Sequence, residues 1–523
     1  MSGAAATALS AVRTQLPPLS LPHVEYSALL PELILIGAAL TLLLVSSLSR
    51  RRLRQGAFTS LTVAAALASM GAAWKLWLDV VPRHGGPAGN PVHHPYTALS
   101  GAIAVDGFSV FFMVLLTAAL ALGTLLGDAW LKREEVDGPE YHVLALLCVS
   151  GAMLMAAADD LIVLFLGLEI LSIPLYVLAG FDGRRRESRE AAMKYFVLGA
   201  FSSALLLYGI ALTYGATGST SLPQIATYLA QEVIASNGVL LAGLALLLAG
   251  LGFKVAAVPF HAWTPDVYQG APSPVTGFMA AVAKAAGFAA LLRVFFSSFS
   301  VLRLDWQPLL WAVAVLTLLV GSVLALVQTD IKRMLAYSSI SHAGYVLIGL
   351  QAGTARGIAG ALFYLLAYTF MVLGSFAIVT LMGRRGDSRH SLEEYRGMAA
   401  QRPALALLFA VFLMAQTGVP FTTGFLAKFY VISAAVESRS YALAIIGMLA
   451  AVIAAFFYLR VIVLMYSPAA GGEAGPAEPP GGSPIPLPGT VAVTLAVALA
   501  VTVVFGLVPA PMIDFARHAT LLF

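Results

Sequence analysis

Seven residues able to hold or pass a proton lie inside strongly apolar runs: Glu169, Lys194, Lys254, His261, Lys284, His342 and Lys428. An ionisable group in hydrocarbon is costly and is normally paired or functional. The stretch "LLLAGLGFKVAAVPFHAWTP" (246–265) shows the pattern. It begins as a lipid-compatible helix, places Lys254 inside it, breaks at Pro259 and continues to His261. Proline removes a backbone donor and disrupts the local ladder. The carbonyls this frees make a polar niche in an apolar setting. A lysine there can switch between charged and neutral as a carboxylate partner moves. The ordinary pKa of histidine is near neutrality, so His261 can accept or pass on a proton.

Each residue has a plainer alternative. Glu169 lies ten residues past Asp159, roughly 15 Å into a helix. It is the expected partner of Lys194, which otherwise reads as a snorkelling anchor. Lys254 could be locked to Glu169 for structure alone, but four in-span lysines exceed one structural pair. Lys284 sits among small residues in "SPVTGFMAAVAKAAGFAALLRVF", and Lys428 follows a second break at Pro420 in "GVPFTTGFLAKFYV". His342 stands beside Ser338, Ser339 and Ser341. A lone histidine there is often only hydrogen-bonded to a neighbouring helix, yet its mid-span position favours a relay. The chain has seven lysines against twenty-three arginines, and the deep cations are lysine. Arginine does not give up its proton, whereas lysine can. The bias points to protonation chemistry.

These residues must be positioned by membrane-spanning helices. The chain of 523 residues is 59% hydrophobic and 11% charged, far below the usual charged fraction of about 25% in soluble proteins. A span needs about 20 mostly apolar residues. Fourteen candidates read as 28–48, 57–80, 107–130, 141–158, 161–181, 191–214, 238–258, 273–297, 307–327, 333–351, 357–382, 403–434, 441–466 and 488–511. With the N-terminus outside, seventeen loop arginines and lysines fall inside and six outside. That asymmetry supports fourteen spans with both termini outside. Lys75, Arg293 and Arg460 lie near span ends, where snorkelling explains them, and Glu32 and Asp106 read as boundary or structural residues.

"AAVPFHAW" (256–263) and "TGVPFTTGF" (417–425) share Val-Pro-Phe, and "ADDLIVLF" (158–165) and "QTDIKRML" (328–335) each open a span with an acidic residue. Spans 4–8 and 9–13 therefore read as two five-helix copies. Five is odd, so the second copy is inverted. Paired breaks in corresponding helices of inverted repeats mark ion sites in transporters. The expected architecture is all-α and polytopic. An N-terminal extension (1–27) precedes spans 1–3 (28–130), the first repeat (141–297) and the second (306–466). A Gly/Pro-rich loop (467–487) and a last span with its tail (488–523) follow.

One cysteine, Cys148, excludes a disulfide framework and an iron–sulfur cluster held by this chain alone. The first 20 residues lack the apolar core of a signal peptide. His93 and His94 lie in a Gly/Pro loop, and no metal site, dinucleotide fingerprint or nucleic-acid signature is read. The Ala/Gly/Arg-rich usage looks bacterial.

Three long stretches, "AMKYFVLGAFSSALLLYGIALTYGATGS" (192–219), "GFKVAAVPFHAWTPDVYQGAPSPVTGFMAAVAKAAGFAAL" (252–291) and "DIKRMLAYSSISHAGYVLIGL" (330–350), resemble the antiporter-like membrane subunits of respiratory complex I. The likeness covers roughly residues 100–465. It implies fourteen helices, two inverted five-helix repeats and broken seventh and twelfth helices. It also implies proton-carrying roles for Glu169, Lys194, Lys254, Lys284 and Lys428. Some sister subunits carry glutamate where Lys428 stands, and the chain ends soon after the last span, unlike the largest sister. The resemblance implies one proton channel of the membrane arm in a bacterial inner membrane, with both termini periplasmic. FMN, iron–sulfur clusters, quinone and NADH belong to partner subunits, and sister antiporter-like subunits are neighbours. The nearest rival is a subunit of a multi-subunit Na⁺/H⁺ antiporter. A stand-alone secondary transporter is a second.

Overall fold

A computed structural model describes residues 24–48, 54–81, 94–231, 238–383, 385–388, 390–468, 487–519 and 521. Most of the N-terminal extension, Arg50 to Arg52, Arg83, His93 and nearly all of the Gly/Pro-rich loop lie outside these residues.

The described chain is helical apart from one short hairpin, β1 (Tyr96–Ala98) with β2 (Ile103–Val105). The first helices are α1 (Leu30–Leu48), α2 (Gln55–Val80), α3 (Gly107–Glu134), α4 (Glu140–Ala157), α5 (Leu161–Ala179) and α6 (Arg186–Thr217). Next come α7 (Leu222–Gln231), α8 (Gly238–Val255), α9 (Trp263–Gly270) and α10 (Ser273–Arg293). The second half holds α11 (Arg303–Leu326), α12 (Ile331–Ala352), α13 (Ala355–Met382), α14 (Met398–Gln401), α15 (Pro403–Thr417), α16 (Thr423–Glu437) and α17 (Tyr441–Tyr466). The last two are α18 (Gly489–Leu507) and α19 (Ala510–His518).

Twelve of these helices are long and apolar enough to cross a membrane. The two further spans expected from the sequence fail that measure for visible reasons. α12 carries Lys332, Arg333, three serines and His342, and nearly all of it is buried by other helices. It need not be apolar because it does not face lipid. The run 403–434 is split into α15 and α16, each of 15 residues. α3, α10 and α13 are likewise enclosed, whereas α1, α6 and α18 expose broad apolar faces.

Both breaks fall where the prolines predict. After α8, Ala256 takes a left-handed φ of 61°. The freed carbonyl of Phe253 accepts from Trp263 Nε1 at 2.9 Å. After α15, Gly418 adopts φ 95°, a conformation glycine reaches without a Cβ penalty. Thr422 then caps α16.

The two halves repeat one local device. Asp160 caps α5 and bridges to Ser221; Asp330 caps α12 and bridges to Ser391. The flanking hydrogen bonds match as well: Leu161 N to Thr220 O and Leu222 N to Asp159 O, against Ile331 N to His390 O and Leu392 N to Thr329 O.

Arg293 departs from expectation. It does not snorkel. Its guanidinium grips Asp106 through two bonds of 3.0 and 2.9 Å, with both side chains fully buried. The planar fork of arginine suits such a bidentate pair. It pins the end of α10 to the start of α3, where Asp106 also accepts from Ser109 N. Glu32, read as a boundary or structural residue, is buried in the first turn of α1.

Candidate functional site

The ionisable residues gather in three groups. The first lies at an open mouth of about 660 Å³ lined by Glu187, Glu190, Lys194, Asp266, Asp387 and Glu394, among others. Lys194 Nζ donates to Asp266 Oδ2 at 2.7 Å and reaches Glu190 Oε1 at 2.8 Å. The other oxygen of Asp266 accepts from Arg333 at 2.7 Å. One carboxylate on α9 thus ties α6 to α12. This corrects the expected pairing of Lys194 with Glu169, and Lys194 is not deep. Its side chain is 42% exposed, because it sits in the first turns of α6 while Glu169 lies midway along α5.

Behind this mouth, Asp387 is fully buried. It accepts from Ser273 N and Oγ and from Lys332 Nζ at 3.1 Å, with Arg185 at 3.5 Å. Burial pushes its carboxyl up, but Lys332, His390 and the Ser273 hydroxyl outweigh that and hold it well below the usual carboxylate range.

The second group surrounds Lys254. In the last turn of α8, its Nζ donates to Ser172 Oγ at 2.6 Å. Glu169 lies one turn before Ser172 on α5, and its Oε1 has no partner among the described residues. The tyrosine rings of Tyr176 and Tyr195 flank the ammonium at 5.9 and 5.6 Å, within cation–π distance. Gly287 on α10 permits close packing here. A Cβ there would stand 2.8 Å from Val255 and 3.4 Å from the Lys254 stem. Lys284 is one turn away on the same helix.

The third group is centred on Tyr458. Lys284 Nζ donates to Ser339 Oγ at 2.5 Å and to the Ser339 carbonyl. The adjacent Ser338 shares a hydrogen bond with Tyr458 OH. His342 binds Tyr458 OH through Nε2 at 3.1 Å and Tyr364 OH through Nδ1 at 2.6 Å. Tyr458 also donates to Gln416 Oε1 at 3.2 Å, and Gln416 Nε2 donates to Ser375. Lys428 Nζ donates to the backbone carbonyls of Gln416 and Thr417 at 2.9 and 2.7 Å. Those carbonyls are at the open end of α15, left without intrahelical partners by the break. The break therefore supplies the acceptors for Lys428. Lys284, His342, Gln416, Lys428 and Tyr458 are all buried.

Such an arrangement can store a proton on an amine and pass one through hydroxyls, an imidazole and an amide. A family described as NADH:quinone oxidoreductase/Mrp antiporter, transmembrane, matches residues 158–454. NADH-quinone oxidoreductase subunit N of Trichlorobacter lovleyi is 46% identical, over 81% of this chain and 85% of that protein. The chain belongs to the subunit N family of NADH-quinone oxidoreductases.

Subunit N 3 of Streptomyces griseus is 42% identical over 95% of this chain and 94% of its own. A chain in the structure of Thermus thermophilus respiratory complex I with bound aureothin superposes with a TM-score of 0.75. It is 32% identical and covers 93% of this chain and 99% of its own. As a member of this family the chain is an antiporter-like, multi-pass membrane subunit.

Within this subunit the structure brings together Lys284, His342 and Lys428, and separately sets Lys254 near Glu169. It leaves His261 aside. That histidine lies in the first break, partly exposed, and its Nδ1 has no partner among the described residues. Sequence reasoning missed Asp266, Ser172, Gln416 and Tyr458. Gln416 left a signal, an amide in an apolar run just before a break. Tyr458, in "FFYLRV", left none, since an aromatic in such a run reads as packing.

Proposed function

We propose that this chain is a proton-translocating subunit of the membrane arm of an NADH-quinone oxidoreductase, driven by electron transfer in other subunits. The observation that carries this is the buried polar cluster centred on Tyr458, whose members hold Lys284 on one side and Lys428 on the other. Lysines hold the proton; Ser338, Ser339, His342 and Tyr458 pass it. Lys194 and Asp266 form the mouth, and Glu169 sets when Lys254 carries charge. His261 supports transfer from the first break. Pro259 and Pro420 maintain the breaks that expose backbone carbonyls.

The finer architecture goes with this role. The chain crosses the membrane fourteen times, counting α12 and the split pair α15–α16 with the twelve long apolar helices. Residues 141–297 and 306–466 are inverted five-helix repeats, supported by the matched Asp160–Ser221 and Asp330–Ser391 bridges. Both termini are periplasmic in a bacterial inner membrane. FMN, iron–sulfur clusters, quinone and NADH are held by partner subunits, with sister antiporter-like subunits alongside.

Affinity purification through a tag on this chain tests the assignment. NADH-quinone oxidoreductase activity, flavin and iron–sulfur signals should copurify. Recovery with Na⁺/H⁺ antiporter subunits, or recovery alone, would overturn it.

A further inference from the structure

A cleft remote from the proton line has its own chemistry. Arg356, Gly360 and Phe363 on α13, Tyr430 on α16, and Ile513 and Arg517 on α19 line an open space of about 430 Å³. Among the described residues, the two arginines are the charged groups in its lining. α19 is a short amphipathic helix that buries Met512, Ile513 and Ala516 and exposes Asp514, Arg517 and His518. Its Phe515 ring packs 4.5 Å from Trp77 and 6.2 Å from Trp74. Tryptophans near a helix end, beside a surface helix with a basic edge, mark the level of lipid headgroups.

The two guanidiniums are available there. Arg356 meets Glu437 at 3.4 Å, with both side chains about half exposed. Such a pair is weak and leaves most of the five arginine donors free. Arg517 has no ion-pair partner among the described residues. Phosphate fits the planar fork of arginine. The wall between the arginines is apolar, and at Gly360 it has no side chain. A charged pair above an apolar groove suits a ligand with an anionic head and a hydrocarbon tail.

We propose that this cleft binds an anionic phospholipid, with its phosphate on Arg356 and Arg517 and an acyl chain along Gly360, Phe363 and Tyr430. Net negative charge distinguishes the ligand from a zwitterionic lipid, whose own cation offsets the phosphate. The proposal is independent of how protons cross the chain.

The test uses the whole assembled complex in vesicles containing a photoactivatable phosphatidylglycerol with its reactive group on the acyl chain. Labelled peptides are mapped by mass spectrometry. The peptides around Phe363 and Tyr430 should be labelled more strongly by this probe than by a phosphatidylcholine equivalent. Each arginine contributes about a fivefold preference, so R356Q/R517Q should lose about 30-fold in apparent affinity. R356K/R517K should recover most of it, which separates charge from packing. Flavin and iron–sulfur signals that copurify with each variant report assembly. Equal labelling by both lipids, or unchanged labelling of the double glutamine variant, would overturn the proposal. So would displacement of the probe by inorganic phosphate alone, or crosslinking of the cleft to a neighbouring subunit instead of lipid.

Discussion

Lys284 and Lys428 are anchored on residues that flank Tyr458: Lys284 on Ser339, next in sequence to the Ser338 that bonds Tyr458, and Lys428 on the carbonyl of Gln416, whose side chain accepts from Tyr458. Neither lysine has a carboxylate partner among the described residues. Each is held by oxygen dipoles: a serine hydroxyl and carbonyl for Lys284, two helix-end carbonyls for Lys428. A buried charge locked to a carboxylate is hard to discharge, whereas one held by neutral dipoles can lose its proton and leave no stranded anion. That difference suits a transfer path better than a structural pair.

Tyr458→Phe keeps the ring and removes the hydroxyl that meets Ser338, His342 and Gln416. NADH-driven proton pumping should fall about 100-fold, the lower end of what a positioned proton-transfer group contributes. The three lost contacts should lower the unfolding midpoint, since each buried group left unpaired costs about 1–3 kcal/mol, so pumping is compared only in complex shown to be assembled. Proton uptake by vesicles, normalised to assembled complex, measures this. Unchanged pumping would mean the path bypasses Tyr458.

Lys428 has two separable duties, covering the α15 carbonyls and carrying a proton. Lys428→Ala leaves both carbonyls without a donor, at about 1–3 kcal/mol each, and should lower the thermal unfolding midpoint and abolish pumping. Lys428→Arg restores donors and charge but not proton release. It should recover the midpoint and leave pumping absent. Scanning fluorimetry beside a pumping assay distinguishes them.

Asp266 is shared by Lys194 and Arg333, all three partly exposed. Exposed pairs contribute only about 0.2–1 kcal/mol, so Asp266→Asn should assemble normally. Its effect should appear in transport, with pumping several-fold lower and the residual rate less sensitive to salt. A large stability loss with normal pumping would make Asp266 a structural clamp.

Asp387 gives a pH prediction. Its folded pKa lies below the usual carboxylate value, so the folded state binds fewer protons than the unfolded chain in that range. The stabilisation is complete above the unfolded pKa of about 3.9 and is lost as pH falls through the folded value. Asp387→Asn strands Lys332 and should cost about 3–5 kcal/mol near neutrality. The gap from the parent should stay constant from about pH 8 to 5 and narrow only below about pH 4. Unfolding midpoints across that range check it.

The helices were legible because apolar runs of span length leave little choice of structure, and the prolines marked both breaks. α12 was legible too, although its residues are too polar for a lipid-facing span. Its partner Tyr458 was not, because it meets Ser338 and His342 from α17, and contacts between distant helices leave no local pattern. The assignment of Lys194 to Glu169 failed because two other carboxylates reach it: Asp266, beyond the break on α9, which left no local pattern, and Glu190, one turn earlier on α6, whose i, i+4 spacing did leave one. Arg293 looked like a snorkelling residue because its buried partner, Asp106, is far away in sequence.

The central claim is that the buried lysines carry protons coupled to NADH oxidation. Lys254→Ala in inverted membrane vesicles tests it most directly, with NADH oxidation and NADH-driven acidification recorded together and assembly confirmed. The account predicts that both fall together. If both are untouched and only Na⁺-dependent dissipation of ΔpH changes, the chain is an antiporter subunit and the account is contradicted.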